Sequence, residues 1–245
     1  MNQGFAQSTH SPNYGQRLLG RIVSHVIDVV LPEQCGLCGQ ASDRTGYCGD
    51  CVAGLDRHAR QCRICGAPFS GDEICGRCQI EPPPITETIA PFKYAAPISD
   101  TVHALKYRRR LACGRDLGYL LASEVEKRIS EVPEVLLPVP LHWRRQFWRG
   151  FNQSVEIARP VSRWLGIPID LRLVRRKVHT APQVGLMPLQ RGRNVHGAFQ
   201  PIGTGPSSVA IIDDVMTSGS TTAEVARCLA EMGVRQIYVW TLARV

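Results

Sequence analysis

Asp213 and Asp214 stand between a four-residue apolar run, Val209-Ala210-Ile211-Ile212, and a small hydroxyl-rich turn, Val215-Met216-Thr217-Ser218-Gly219-Ser220-Thr221. The run is short and β-branched, which reads as a buried strand. Beyond the turn Val225, Leu229 and Met232, with Ala226 and Cys228 between them, recur at helical spacing, so the turn opens a helix. A helix amino end offers unpaired N–H groups and the positive end of the dipole, which is where a phosphate binds. Gly219 lets the main chain approach closely, and the hydroxyls of Thr217, Ser218, Ser220 and Thr221 add donors. Two carboxylates just beneath that phosphate would face the vicinal hydroxyls of a sugar. Together these features describe a ribose 5-phosphate site. The plain alternative is a capped strand-turn-helix with two incidental acids.

Thiols form the second chemistry-bearing set. Eight of the ten cysteines fall in four Cys-x-x-Cys pairs, Cys35/Cys38, Cys48/Cys51, Cys62/Cys65 and Cys75/Cys78, and the second four repeat the spacing of the first. Such a repeat is a tandem duplication. Gly39 and Gly66 follow the second cysteine of their pairs, where a tight knuckle needs a positive φ. Two knuckles supply four thiolates, the tetrahedral set that zinc prefers. The repeat assigns Cys35, Cys38, Cys48 and Cys51 to one ion and Cys62, Cys65, Cys75 and Cys78 to another; an interleaved pairing is also compatible. Closed all-cysteine sites are structural, and a module with so little apolar content needs its metal to fold. Cys113 and Cys228 stand alone and read as core residues.

Charge is the third signal. The chain carries a formal net charge of +8, and residues 100–195 alone hold 18 basic and 8 acidic side chains. An electropositive middle segment fits an anionic partner, a phosphorylated small molecule or a nucleic acid. Within it, Trp143-Arg144-Arg145-Gln146-Phe147-Trp148-Arg149-Gly150-Phe151 interleaves cations with aromatic rings, a composition that suits single-stranded nucleic acid. The plain reading packs the rings into the core and leaves the arginines to serve a phosphate.

The elements that must position these groups follow from periodicity and punctuation. Gln16 to Leu31 reads as an amphipathic helix ended by Pro32. Pro82-Pro83-Pro84 is an extended linker, and from Ile85 strands alternate with helices. Strands are expected over 88–94, 135–139, 167–169 and 236–242, and helices around Ile98–Leu105, Leu117–Ile129 and from the Asn152 cap to Trp164, with residues 171–200 irregular. The fold class is therefore α/β, a parallel sheet flanked by helices with its ligand at the carboxyl ends of the strands, behind a small zinc-ribbon module. Expected divisions are a tail and amphipathic helix over 1–34, a double zinc ribbon over 35–81, and the α/β body over 85–245. No apolar run reaches the ~18 residues of a membrane span, and the amino end does not read as a secretory signal. A cytoplasmic protein without membrane attachment is expected.

The chain resembles the ComF family, the ComFC- and GntX-like proteins, along nearly all of its length beyond residue 30. The segments carrying the resemblance are the paired Cys-x-x-Cys module, Leu105-Lys106-Tyr107-Arg108, Val139-Pro140-Leu141-His142, Arg149-Gly150-Phe151-Asn152-Gln153, Thr180-Ala181-Pro182-Gln183, Arg191 to Phe199 and the stretch around Asp213 and Asp214. That last stretch also looks like the 5-phosphoribosyl 1-pyrophosphate (PRPP) signature of type I phosphoribosyltransferases. The resemblance implies a type I phosphoribosyltransferase-like domain behind two structural Zn²⁺ ions, PRPP bound with Mg²⁺, and a link to DNA uptake, natural transformation or DNA utilisation. It also implies roles for particular residues. Asp213 and Asp214 would be catalytic, the 215–221 stretch would bind the sugar phosphate, Lys106, His142, Arg144 and Arg145 would lie near the pyrophosphate, and Arg191 and Asn194 would sit in a hood over the base. Two functional readings follow, an active transferase on a nucleobase-like acceptor, and a PRPP-binding protein that handles single-stranded DNA beside a translocation helicase.

Overall fold

The computed structural model describes residues 34–42, 45–71, 73–142, 147–177 and 196–245. The expected helix over 16–31, together with Arg144, Arg145, Arg191, Asn194 and the 180–183 segment, lies outside the described residues.

Two short helices, α1 (Gly49–Ala53) and α2 (Gly76–Ile80), follow one another through the cysteine repeat. The body then runs β1 (Glu87–Ile89), β2 (Phe92–Lys93), α3 (Ile98–Arg108), α4 (Leu111–Glu126), β3 (Val135–Pro138), α5 (Gln153–Leu165), β4 (Val174–Arg176), β5 (Phe199–Pro201), β6 (Ser208–Met216), α6 (Ser220–Glu231) and β7 (Gln236–Arg244). The main sheet has the order β1-β7-β6-β3 with β2 also on β7, and all of these pairs are parallel. β4 and β5 form a separate antiparallel pair.

Alternation along the central strands builds two cores. Leu136, Ala210, Ile212, Tyr238 and Trp240 face α4 and α5, where Leu117, Leu121, Ile157 and Val161 close over them. Leu137, Val209, Ile211, Ile237 and Val239 face the opposite way, onto Val225 and Leu229 of α6. Strands buried on both faces are what a parallel sheet covered by helices requires. The two cysteine repeats straddle the β1 edge. Cys35, Tyr47 and Leu55 join the first core, and Cys62, Ile64 and Cys78 join the second. The Thr88 N–H of β1 donates to the Arg63 carbonyl at 2.8 Å, so the second repeat also covers an otherwise open sheet edge.

Four expectations change. The strand expected over 88–94 divides into β1 and β2. The segment over 171–200 is not wholly irregular, because β4 and β5 occupy its two ends. Ile167–Ile169 contributes a single parallel bridge, Ile169 with Leu136, and no strand of its own. β6 does not stop at Ile212. Its ladder with β7 continues through Asp213↔Thr241 and Val215↔Ala243 to Met216↔Arg244. Carboxylates are uncommon in strands, but a long neighbour on one side overrides that local preference.

Candidate functional site

The pocket exists because the two neighbours of β6 differ in length. β7 accompanies β6 to Met216, whereas β3 pairs only as far as Pro138 opposite Ile212. Beyond that point Val139 makes one last bond, its N–H to the Ile212 carbonyl at 2.9 Å, and the chain turns away. The vacated edge opens a cavity of about 300 Å³ at the carboxyl end of the sheet, where α/β folds hold their ligands. Asp213, Asp214 and every residue from Val215 to Thr222 line it.

The floor is polar and tightly paired. Asp214 is buried and forms an ion pair with Lys106 Nζ from α3. Burial works against the Lys106 charge, but the Asp214 charge and hydrogen bond outweigh it, so the Lys106 pKa is raised. Asp213 accepts a hydrogen bond from Ser154 Oγ at 3.1 Å and another from the Asp214 N–H at 2.9 Å. Burial, reinforced by the neighbouring Asp214 charge, pushes its carboxyl up to about 7.

The rim is the turn between β6 and α6. Gly219 caps α6 at φ +76, a left-handed conformation, and a Cβ there would come within 3.2 Å of Met216 Sδ. The Ala223 N–H and the Thr222 hydroxyl both bond to the Gly219 carbonyl at 2.9 Å, which closes the first turn. The Ser218 hydroxyl meets that of Ser220 at 2.8 Å. The loop thus turns hydroxyls and the amino end of a twelve-residue helix toward the cavity above the acids.

Of the residues expected nearby, Lys106 lines the cavity; His142 is buried and is not among the lining residues, whereas its neighbour Leu141 is. Several lining residues had not been anticipated. Arg176 reaches in from β4 with its guanidinium 5.2 Å from the centre of the Phe199 ring, and Tyr94, Tyr107 and Gln153 complete the wall. Leu173-Val174-Arg175-Arg176 does not alternate in polarity and gives no sequence signal for Arg176; the structure buries Val174 and Arg176 together on one face of β4. Ser154 follows the Asn152 cap, whose side chain accepts from the Ser154 N–H at 3.0 Å. The first turn of α5 is therefore set by the cap, and it is this turn that meets Asp213.

The cysteines gather as the repeat unit requires. Cys35, Cys38, Cys48 and Cys51 form one cluster and Cys62, Cys65, Cys75 and Cys78 the other, with the ligand atoms of each within 4.8 Å of one another. Cys38 and Cys48 sulfurs lie 3.6 Å apart and those of Cys65 and Cys75 3.8 Å apart. A tetrahedral ion with Zn–S bonds of ~2.3 Å would separate its sulfurs by roughly 3.8 Å. The donor set and spacing fit two structural zinc ions, bound sequentially and not interleaved. Gly39 and Gly66 adopt the positive φ their knuckles need, +76 and +63, and donate to the Cys35 and Cys62 carbonyls at 2.9 and 2.8 Å.

Comparison with known proteins agrees with this arrangement. Residues 26–79 match the double zinc ribbon domain. The chain is 36% identical over 225 residues to the DNA utilization protein YhgH of Escherichia coli, spanning 88% of this chain and 99% of that protein. It is 32% identical over 219 residues to competence protein F of Haemophilus influenzae, spanning 86% and 90%. The chain belongs to the ComF family. A more distant ComF member, competence protein ComFC of Bacillus subtilis, is 24% identical over 183 residues, 70% of this chain and 72% of that protein. Among solved structures, a purine phosphoribosyltransferase from Pyrococcus horikoshii overlaps 52% of this chain and 70% of its own at 18% identity, with a TM-score of 0.33. Among the described residues no helix is long and apolar enough to cross a membrane.

Proposed function

We propose that this ComF-family chain binds PRPP in the cavity at the end of β6 and serves the uptake or utilisation of DNA. One observation carries the reading: Asp213, Asp214 and the 217–221 loop line a single open cavity, acids on the floor and phosphate donors on the rim. The 5-phosphate would rest on the loop and the amino end of α6. The two acids would take the ribose hydroxyls, with Lys106 and Arg176 as the cations nearest the pyrophosphate. Mg²⁺ bound with PRPP would share its oxygens and neutralise part of their charge. The role in DNA handling rests on the names of the relatives, DNA utilization protein and competence protein.

Calorimetric titration with PRPP and Mg²⁺ tests the first part. Binding should be abolished when Asp213 and Asp214 are both changed to Asn while the circular dichroism spectrum is kept. Retained affinity in that variant would show the acids misassigned. A pyrophosphate-release screen over nucleobases then separates a transferase, which releases it with one acceptor, from a sensor, which binds without release.

A second reading is favoured by one surface. Phe147 and Trp148 are 83% and 81% exposed, beside exposed Tyr107, Arg108, Arg109 and Arg110. Arg109 Nη2 donates to the Trp148 carbonyl at 2.9 Å, and the Arg149 guanidinium lies 5.9 Å from the centre of the Tyr107 ring. Rings left in solvent among arginines suit stacked bases and a phosphate backbone, so we assign single-stranded DNA to this face. Changing Phe147 and Trp148 to Ala should each weaken oligonucleotide binding roughly tenfold, with strong salt dependence in the parent. Unchanged affinity in the double variant would remove the surface from consideration.

A further inference from the structure

Arg244, near the end of β7, is a buried arginine with 5% of its surface exposed. Among the described residues neither its Nε nor its Nη1 has a hydrogen-bond partner, and no carboxylate pairs with it. A guanidinium so placed is costly unless an anion answers it. Its register partner on β6, Met216, packs in the second core with Cys62 and Cys78 and shares a cavity wall with Cys65, so Arg244 stands on the face of the sheet that carries the second cysteine cluster. Four thiolates on one zinc ion carry a net charge of about −2, which is the missing anion.

The same residue pairs with the strand that leads into the loop. Arg244 is the β7 partner of Met216, and the next N–H, that of Val245, donates to the Met216 carbonyl at 3.0 Å. The Met216 sulfur lies 3.5 Å from the Thr222 hydroxyl oxygen and underlies Gly219. Behind the loop a cavity of about 110 Å³ is lined by Cys65 and Cys78 on one side and by Met216, Ser218, Gly219 and Thr222 on the other. The second cysteine cluster and the rear of the loop therefore share both a wall and a strand residue.

We propose that Arg244 is the buried counter-cation of the second zinc centre, and that this centre holds the 217–222 loop in place through Arg244 and Met216. Arg244 is a positioning residue: it faces the second cysteine cluster on one side and pairs with the strand that ends in the loop on the other. The statement about the loop builds on the sugar-phosphate reading of that loop, whereas the statement about zinc does not.

The test uses the full chain loaded with two equivalents of zinc. Release to a chromogenic chelator should show one ion leaving the Arg244→Gln variant about 10–100-fold faster than from the parent, with the other unchanged. Arg244→Lys, which keeps the charge, should recover most of the difference. Hydrogen exchange at residues 216–222 should rise in Arg244→Gln, and PRPP affinity should fall. Both ions leaving at parental rates would overturn the counter-cation, and faster release with unaltered exchange at 216–222 would overturn the coupling. A second pair of variants decides the matter even where Arg244→Gln does not fold. Cys78→Ser should raise exchange at 216–222 and Cys38→Ser should not, so equal effects from the two would overturn the coupling. A parent that binds no PRPP yet shows these zinc and exchange differences would separate failure of the sugar-phosphate reading from failure of this one.

Discussion

Asp213 and Asp214 are adjacent in sequence and opposite in circumstance. Asp214 is held by Lys106, whereas among the described residues Asp213 accepts from the Ser154 hydroxyl and a backbone N–H and feels the Lys106 charge only at longer range. Its carboxyl is pushed up to about 7 by burial and by the Asp214 charge. A carboxylate accepts from both sugar hydroxyls, while a protonated carboxyl loses one acceptor, so PRPP affinity should rise between pH 6 and pH 8. The sign reverses for the free protein. A carboxyl whose folded pKa exceeds its unfolded value favours folding at low pH, and that contribution is lost as pH rises through about 7. Titration calorimetry at three pH values checks the binding slope, and Asp213→Asn should flatten it. Lys106→Met should cost up to ~3 kcal/mol in denaturant unfolding, because it strands a buried carboxylate. The acids were legible as an adjacent pair before a hydroxyl-rich turn. Ser154 and Arg176 were not, because each reaches the cavity from an element distant in sequence, and no local pattern announces that meeting.

The site depends on how closely α4 and α5 approach. Gly118 of α4 faces α5, and a Cβ added there would lie 2.7 Å from Pro160 Cγ and also strike the Ile157 carbonyl. Backbone cannot swing aside as a flexible side chain would, so Gly118→Ala should destabilise the fold by ~1–3 kcal/mol, read from the urea midpoint. The displaced element is α5, whose first turn carries Ser154 to Asp213, so PRPP affinity should fall as well. On the opposite rim, Gly219→Ala forces a side chain into a left-handed φ against Met216 Sδ, at a cost of ~1–2 kcal/mol. Calorimetry should place that loss in PRPP binding and in thermal stability alike. Helices α3 to α6 were legible because their apolar stripes and stops, such as Asn152 and Gly166 around α5, are local. The extension of β6 past its acids was not, because β7 imposes it from outside. The β4–β5 pair escaped notice for the same reason, being three residues per strand held across a long connection.

Across the whole molecule the two cysteine repeats read in sequence as an appendage, set off by three prolines and poor in apolar residues. Their spacing was enough to assign ligands, since Cys-x-x-Cys knuckles are local. Where they dock was not legible, because the docking residues are few and scattered. Tyr47 and Leu55 complete one core of the sheet, while Ile64 completes the other. Thr88 ties the edge strand to the second repeat twice, through its N–H to the Arg63 carbonyl and its hydroxyl to the Ile64 carbonyl at 2.6 Å. Removing metal would unmake the knuckles that present these residues, and would then uncover apolar surface on both faces of the body. Scanning calorimetry of the zinc-loaded chain should accordingly show one transition, not a stable body preceded by a melting ribbon. Chelation should lower the melting temperature of the α/β body itself and raise dye binding to exposed apolar surface. A shortened chain beginning at residue 82 should behave like the chelated protein, less stable and prone to self-association, since the sheet edge at β1 and both cores would lose their cover together. A body that keeps its melting temperature after either treatment would mean that the shared cores contribute little, and that the ribbons are joined to it only through the chain.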